Sequence, residues 1–393
     1  MKIAILTLPL HFNYGGNLQC YALTKILRSM GHEAINIQLI QDVQLPPLRK
    51  RPHLYFKRLI NKILGRKYSC IFAEQKLIRD KDAVQKYANE FIKKHIPQTS
   101  GIYKNTASLK ELNQLHFDAF IVGSDQVWRP KYAYPDIRSY FLKFLEHDSS
   151  LRISYAASFG TDLNEYSEQE AEDCGKLLKK FDAVSVREIS AIHLIQNVFK
   201  WDCRLFPQLV LDPTLLLEKE DYIQIATPIP GENHSGKLFY YILDMTPDKK
   251  QLINTLCRMK KLKCFTVFPK STSPCKKVED KVVPPVEQWI EGFHEASLVL
   301  TDSFHGCAFS ILFNKPFIVY ANPKRGFARF QSLLTLFGLQ DRLITTSAEL
   351  SQKDMDSPID WIYVNSIREK MKQESLTFLR DALIIRKEEK RRL

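Results

Sequence analysis

The chain has 393 residues, 45% of them apolar and 26% charged, with a formal net charge of +13. That length exceeds one ordinary core and favours two domains, and the mixed composition excludes a disordered or fibrous chain. No uninterrupted apolar run approaches the roughly 18 residues of a spanning helix, so no transmembrane segment is expected.

The opening MKIAILTL reads as a buried strand rather than a secretory signal, because polar HFNYGGN follows at once without a small-residue cleavage site. The expected compartment is the cytoplasm. HFNYGGN reads as a turn, LQCYALTKILRSMG as a helix closed by Gly31, and EAINIQLI as a second strand. The short connection favours a right-handed parallel crossover. From Arg49 to Lys67, RKRPHLYFKRLINKILGRK holds no acidic residue, and Leu54, Phe56, Leu59, Ile60, Ile63 and Leu64 fall near helical spacing. A basic amphipathic helix of this kind either rests on an anionic membrane surface or packs its apolar side on the domain. No nucleic-acid motif accompanies the charge, so nucleic acid is not an expected partner.

A helix near Lys81–His95 precedes the strands FDAFIVGSD and RISYAASFG. The helix EQEAEDCGKLLKKF, the strand DAVSVRE and the helix SAIHLIQNVF then lead to LVLDPTLLL, which Pro213 breaks. The second half repeats the scheme from KLFYYILD to FARFQSLLTLFGL and ends in a long helical stretch from about Asp360 to Arg386. Such β-α alternation predicts two open, mainly parallel sheets with helices on both faces. The expected domains are 1–218, with a basic insert near 45–70, and 219–358, followed by a helical segment at 359–393. Eight scattered cysteines form no C-x-x-C pair, and Cys257, Cys264 and Cys275 lack zinc-ligand spacing. They read as reduced thiols, and no metal is expected.

Ligands in such sheets lie beyond the carboxyl ends of the strands. Three ends stand out. After DAFIV, Asp125 can orient or deprotonate a sugar hydroxyl, or simply cap the following turn. After Val184-Ser185-Val186, Arg187 can bind a carboxylate or phosphate through its planar fork, or pair with Glu188. After SLVL, Ser303, His305 and Gly306 open a helix whose free N–H groups suit an anion. His305 there can bind a phosphate or move a proton, or only cap the helix. Gly15-Gly16 permits a close approach or marks a turn. No G-x-G-x-x-G, P-loop or H-E-x-x-H motif is present.

In this order NYGGNLQCYAL, FIVGSDQVW, ISYAASFG, FDAVSVRE, VLDPTLLL and TDSFHGCAFSILFNKPFIVY resemble the polysaccharide pyruvyl transferase family. The resemblance implies two Rossmann-like domains facing across a cleft, as in GT-B glycosyltransferases. It implies phosphoenolpyruvate as donor, with no cofactor, and a sugar or lipid-linked glycan as acceptor. Arg187 and His305 match the family's arginine after S-V and its histidine before Gly306. Many members carry Arg where Ser303 stands, so Lys324, Arg325 or Arg329 would complete the donor pocket with Gly306. Arg129 stands where Asn is common. His305 is the expected acid or phosphate anchor and Asp125 the group that positions the acceptor. Asn13, Tyr14, Gly15, Ser124 and Trp128 are the expected acceptor contacts. A nucleotide-sugar glycosyltransferase, or a non-catalytic relative, would share the architecture.

Overall fold

Runs such as AFIVG and LRISYAA have no polar alternation, and strands of this kind persist only where helices cover both faces of a parallel sheet. A computed structural model of the chain has that arrangement twice; it describes residues 1–64, 70–146, 150–200, 206–231, 233–321, 326–351 and 357–389. Among these, the first domain holds β1 (Lys2–Leu6), β2 (Glu33–Asn36), β3 (Ala119–Gly123), β4 (Leu151–Ala157), β5 (Ala183–Val186) and β6 (Gln208–Leu209). They pair in the order β2-β1-β3-β4-β5-β6, every pair parallel. The second domain holds β7 (Leu238–Tyr241), β8 (Cys264–Phe265), β9 (Leu298–Thr301), β10 (Phe317–Tyr320) and β11 (Leu343–Ile344). Their order is β11-β10-β9-β7-β8, again all parallel.

Two expectations about local structure are corrected. The glycine pair does not lie in a turn: the first helix is Tyr14–Ser29, and the Asn13 side chain caps it by accepting from the Gly16 amide. The helical stretch near residue 81 is two helices, Ala73–Val84 and Lys86–His95, separated at Gln85. The basic insert forms the helix Arg51–Ile63, as its periodicity predicts, while residues 65–67 of that segment lie outside the described residues.

The two sheets are joined by more than the chain. Tyr14 stacks on Trp289 at 5.6 Å, and its hydroxyl donates to the Pro284 carbonyl at 2.9 Å. Asp80 and Lys281 form a buried ion pair at 2.5 Å between the domains. The last helix, Trp361–Glu389, returns to the first domain. There the Leu211 amide donates to Ser375 Oγ at 3.0 Å, and Phe378 lies 6.3 Å from the Tyr155 ring. No helix among the described residues is long and apolar enough to cross a membrane.

Candidate active site

In each sheet the strand order reverses beside the domain's first strand: β1 lies between β2 and β3, and β7 between β8 and β9. Crevices at such reversals collect ligands because the flanking loops diverge there. In the first domain the loops after β1 and β3 carry His11 and Asp125. In the second, the loops after β7 and β9 are tied by Asp302, whose carboxylate accepts from the Leu243 and Asp244 amides at 2.6 and 3.1 Å. The two reversals face each other. A Cβ on Gly15 would lie 2.0 Å from His305 Nδ1, so the first helix meets the helix Phe304–Leu312 only because residue 15 has no side chain.

Around that contact lies a buried charge network. Arg187 donates to Asp212 at 2.6 Å and to Asp125 at 3.1 Å, and its guanidinium covers the Phe304 ring at 4.3 Å. Asp212 also accepts from Ser124 Oγ at 2.8 Å and from the Thr214 hydroxyl and amide at 2.7 and 3.0 Å. Glu188, 3.7 Å from Arg187 Nε, accepts from Ser158 Oγ at 2.8 Å and the Phe159 amide at 2.9 Å. Asp125 is held in left-handed backbone, φ 63°. For a residue with a Cβ that conformation is costly and recurs at functional turns. Burial alone would raise the Asp125 and Asp212 carboxyls. The opposing pull of Arg187 and His305 wins, and both are held below the usual carboxylate range.

Arg329 also approaches the Phe304 ring, its guanidinium 5.7 Å from the centroid. Burial first, and repulsion from Arg187 second, bring its guanidinium down to about 10, and its Nε has no hydrogen-bond partner among the described residues. His305 Nε2 stands 3.7 Å from Asp212, beyond hydrogen-bonding distance, and is likewise unpartnered. The network therefore leaves one poorly compensated cation and, at the opening of a helix, one imidazole nitrogen that faces Asp212 without a hydrogen bond among the described residues. Ser303 caps that helix, accepting from the Gly306 amide at 3.4 Å.

The expected residues divide accordingly. Asp125, Arg187, Ser303, His305, Gly306 and Arg329 converge, and Lys324 and Arg325 lie outside the described residues. Asn13 and Tyr14 line a cavity of about 1320 Å³ between the domains, with His11, Asn36 and Gln38 on one wall and Tyr241, Phe268 and Lys281 on the other. Ser124 and Trp128, the other expected acceptor contacts, do not line it. Ser124 is spent on Asp212. Trp128 is fully buried, stacked on Phe141 at 5.1 Å, with its indole N–H on the Tyr140 carbonyl. Arg129 is also accounted for, since it holds Glu165 in a bidentate pair at 2.9 and 2.7 Å.

Sequence reasoning missed two groups. Asp212 follows β6 inside the quoted stretch VLDPTLLL, and its position beyond a strand end was the available signal. His11 follows β1 and links the network to the cavity. Its burial lowers its pKa, helped by Lys81 and opposed by Asp125.

The comparisons with known proteins agree with this architecture. The structure resembles a protein assigned as a UDP-N-acetylglucosamine 2-epimerase from Listeria monocytogenes, with TM-score 0.52 and 8% identity over 94% of this chain and 90% of that one. It also resembles the UDP-GlcNAc 2-epimerase of Neisseria meningitidis bound to UDP-GlcNAc, with TM-score 0.50 and 10% identity over 98% and 100%. At these identities the likeness is one of fold: two Rossmann-like domains facing across a cleft, the GT-B arrangement, closed by a C-terminal helix. No curated protein matches the sequence. A family model described as polysaccharide pyruvyl transferase matches residues 13–324. That span takes in Asp125, Arg187, Glu188, Asp212, Ser303, His305 and Gly306, and the chain belongs to the polysaccharide pyruvyl transferase family.

Proposed function

We propose that the chain moves pyruvate from phosphoenolpyruvate onto two hydroxyls of a sugar in a cell-surface polysaccharide or its precursor, forming a cyclic ketal and releasing phosphate. The observation that carries this reading is the poorly compensated Arg329 guanidinium, buried beside Phe304 and the carboxylate-held Arg187, next to a His305 nitrogen that makes no hydrogen bond among the described residues. A buried cation without a full complement of acceptors is costly, and an anionic donor relieves that cost. Arg187 is engaged by two carboxylates, so Arg329 and the helix opening at Gly306 take the larger share of the donor's charge. Arg329 thus stands in for the arginine that many members carry at the position of Ser303.

The chemistry needs one proton delivered to the enol methylene, which becomes the methyl group. A sugar hydroxyl attacks the cationic carbon, the bond from that carbon to the phosphate oxygen breaks, and a second hydroxyl closes the ring. The two hydroxyl protons balance the methyl group and the departing phosphate. His305 Nε2, free of a fixed partner, suits the proton delivery. Asp125, kept ionised by Arg187, suits orienting the diol rather than removing a proton from it. The interdomain cavity reached through His11 is the space available to the acceptor.

Thermal unfolding with and without phosphoenolpyruvate tests the reading. At a hundred times the dissociation constant a ligand stabilises by about 2.7 kcal/mol, a readable shift. We expect that shift in the intact protein and its loss in Arg329→Ala. Stabilisation by a nucleoside diphosphate, with none by phosphoenolpyruvate, would assign the cleft to a nucleotide-sugar reaction instead. In a working assay His305→Ala should lower turnover by at least about a hundredfold; near-normal turnover removes His305 from the proton transfer.

A further inference from the structure

The helix Arg51–Ile63 buries none of its residues. Its inner side is pinned at three points. Arg58 forms a bidentate pair with Glu74 at 2.8 and 2.7 Å, Arg51 Nε donates to the Pro46 carbonyl at 2.8 Å, and Tyr55 meets Phe72 edge-on at 5.1 Å. With about 3.6 residues per turn, Phe56, Leu59, Ile60 and Ile63 share the opposite side as one stripe. They are 62%, 40%, 40% and 75% exposed. Lys57 borders the stripe on one side, Lys62 lies beyond Leu59 towards the pinned side near the helix end, and no acidic residue occurs between Arg49 and Leu64. The helix is therefore fixed so that its apolar side faces outward, against the usual economy of a water-facing surface.

We propose that this helix seats the protein on an anionic lipid bilayer, with the apolar stripe in the boundary between headgroups and acyl chains and the flanking lysines on the headgroups. Charge complementarity selects the occupant. A cationic border asks for an anionic partner, and four adjacent apolar side chains ask for an apolar bed, which a bilayer supplies and a nucleic acid does not. The pins of the helix continue into the wall of the interdomain cavity: Gln44 precedes Pro46, and Leu77 and Lys81 follow Glu74 on the same helix. Docking thus brings the cavity mouth to the membrane. Resting on the pyruvyl transfer proposed above, the acceptor is then a glycan carried on a lipid.

The test is co-sedimentation of the full chain with vesicles of phosphatidylcholine alone or with about one third phosphatidylglycerol. Binding is expected only to the anionic vesicles, weakening as salt screens the headgroups. Phe56→Ser/Ile63→Ser should lower it at least tenfold while the melting temperature stays unchanged, and Lys57→Glu/Lys62→Glu should do the same. Three results overturn the proposal: no binding to anionic vesicles, binding unaffected by the apolar substitutions, or a wild-type dimer that Phe56→Ser/Ile63→Ser converts to monomer. An RNA oligonucleotide bound as tightly by the apolar double variant as by wild type, with vesicle binding equally unaffected, overturns it in favour of charge alone. Vesicle binding without stabilisation by phosphoenolpyruvate keeps the docking and removes the donor assignment, so the two ideas fail separately.

Discussion

Asp212 does more for the site than any residue singled out from sequence. One of its carboxylate oxygens takes Arg187 and Ser124 and faces His305, while the other takes both donors of Thr214. Removing it leaves a fully buried guanidinium hydrogen-bonded only to Asp125, with Glu188 at 3.7 Å, and leaves two hydroxyls without their acceptor. Breaking a buried pair from one side typically costs about 3–5 kcal/mol. Asp212→Ala should therefore lose about that much stability in urea unfolding. A loss under about 1 kcal/mol would mean that water or Glu188 already compensates Arg187. The residue scale also shows the limit of reading types from spacing. Asp125, Arg187 and His305 were legible because each follows an apolar strand directly. Nothing in the sequence said that Arg187 would be spent on two carboxylates, or that Arg329 would carry the uncompensated charge. Those facts come from three-dimensional neighbours on separate loops and helices.

At the scale of elements, alternation of apolar strands and amphipathic helices made both sheets and the basic insert legible. The boundaries that failed did so for local reasons. Asn13 caps a helix through the Gly16 amide, which draws Tyr14 and both glycines into the first turn. Gln85 breaks what periodicity presents as one helix. The segment after β1 also sets a pH response. Burial lowers the His11 pKa, and burial with Lys94 and Lys25 nearby lowers that of His95. Both imidazoles thus take up a proton at lower pH in the fold than unfolded histidines, which do so at about pH 6.5. Below that value the unfolded chain binds more protons than the native one. The stability the two groups contribute is complete above about pH 6.5 and is lost as pH falls through their folded values. Melting temperature should fall between about pH 7 and 5 and fall less steeply in His11→Gln/His95→Gln. A double variant with the wild-type slope would place the response elsewhere.

At the scale of the whole molecule, the two domains are not independent. Tyr14, Tyr241 and Trp289 form one aromatic group across the cleft, and the core around them is continuous from Ile3 to Leu383. The final helix strengthens that union from the far side: it leaves the second domain, yet Val364, Leu379, Ala382 and Leu383 are buried in the shared core, and Arg368 donates to the carbonyls of Leu215 and Leu217 at 3.4 and 3.2 Å. Leu379 is completely buried, so Leu379→Ala should cost about 2–5 kcal/mol. Where that cost falls is the informative part. If the helix is a clasp for the first domain, amide hydrogen exchange in β4 and β6 should accelerate in Leu379→Ala as much as exchange in the helix itself. The reason is that a strand kept dry by the helix exchanges through the same opening that releases the helix, so both speed up together. Acceleration confined to Trp361–Glu389 would show a helix that frays alone, and the first domain would then owe its closure to the Gly15–His305 and Tyr14–Trp289 contacts. In the clasped case, any motion that opens the cleft must carry the last helix with the first domain, so the cleft hinges within the chain that precedes Trp361.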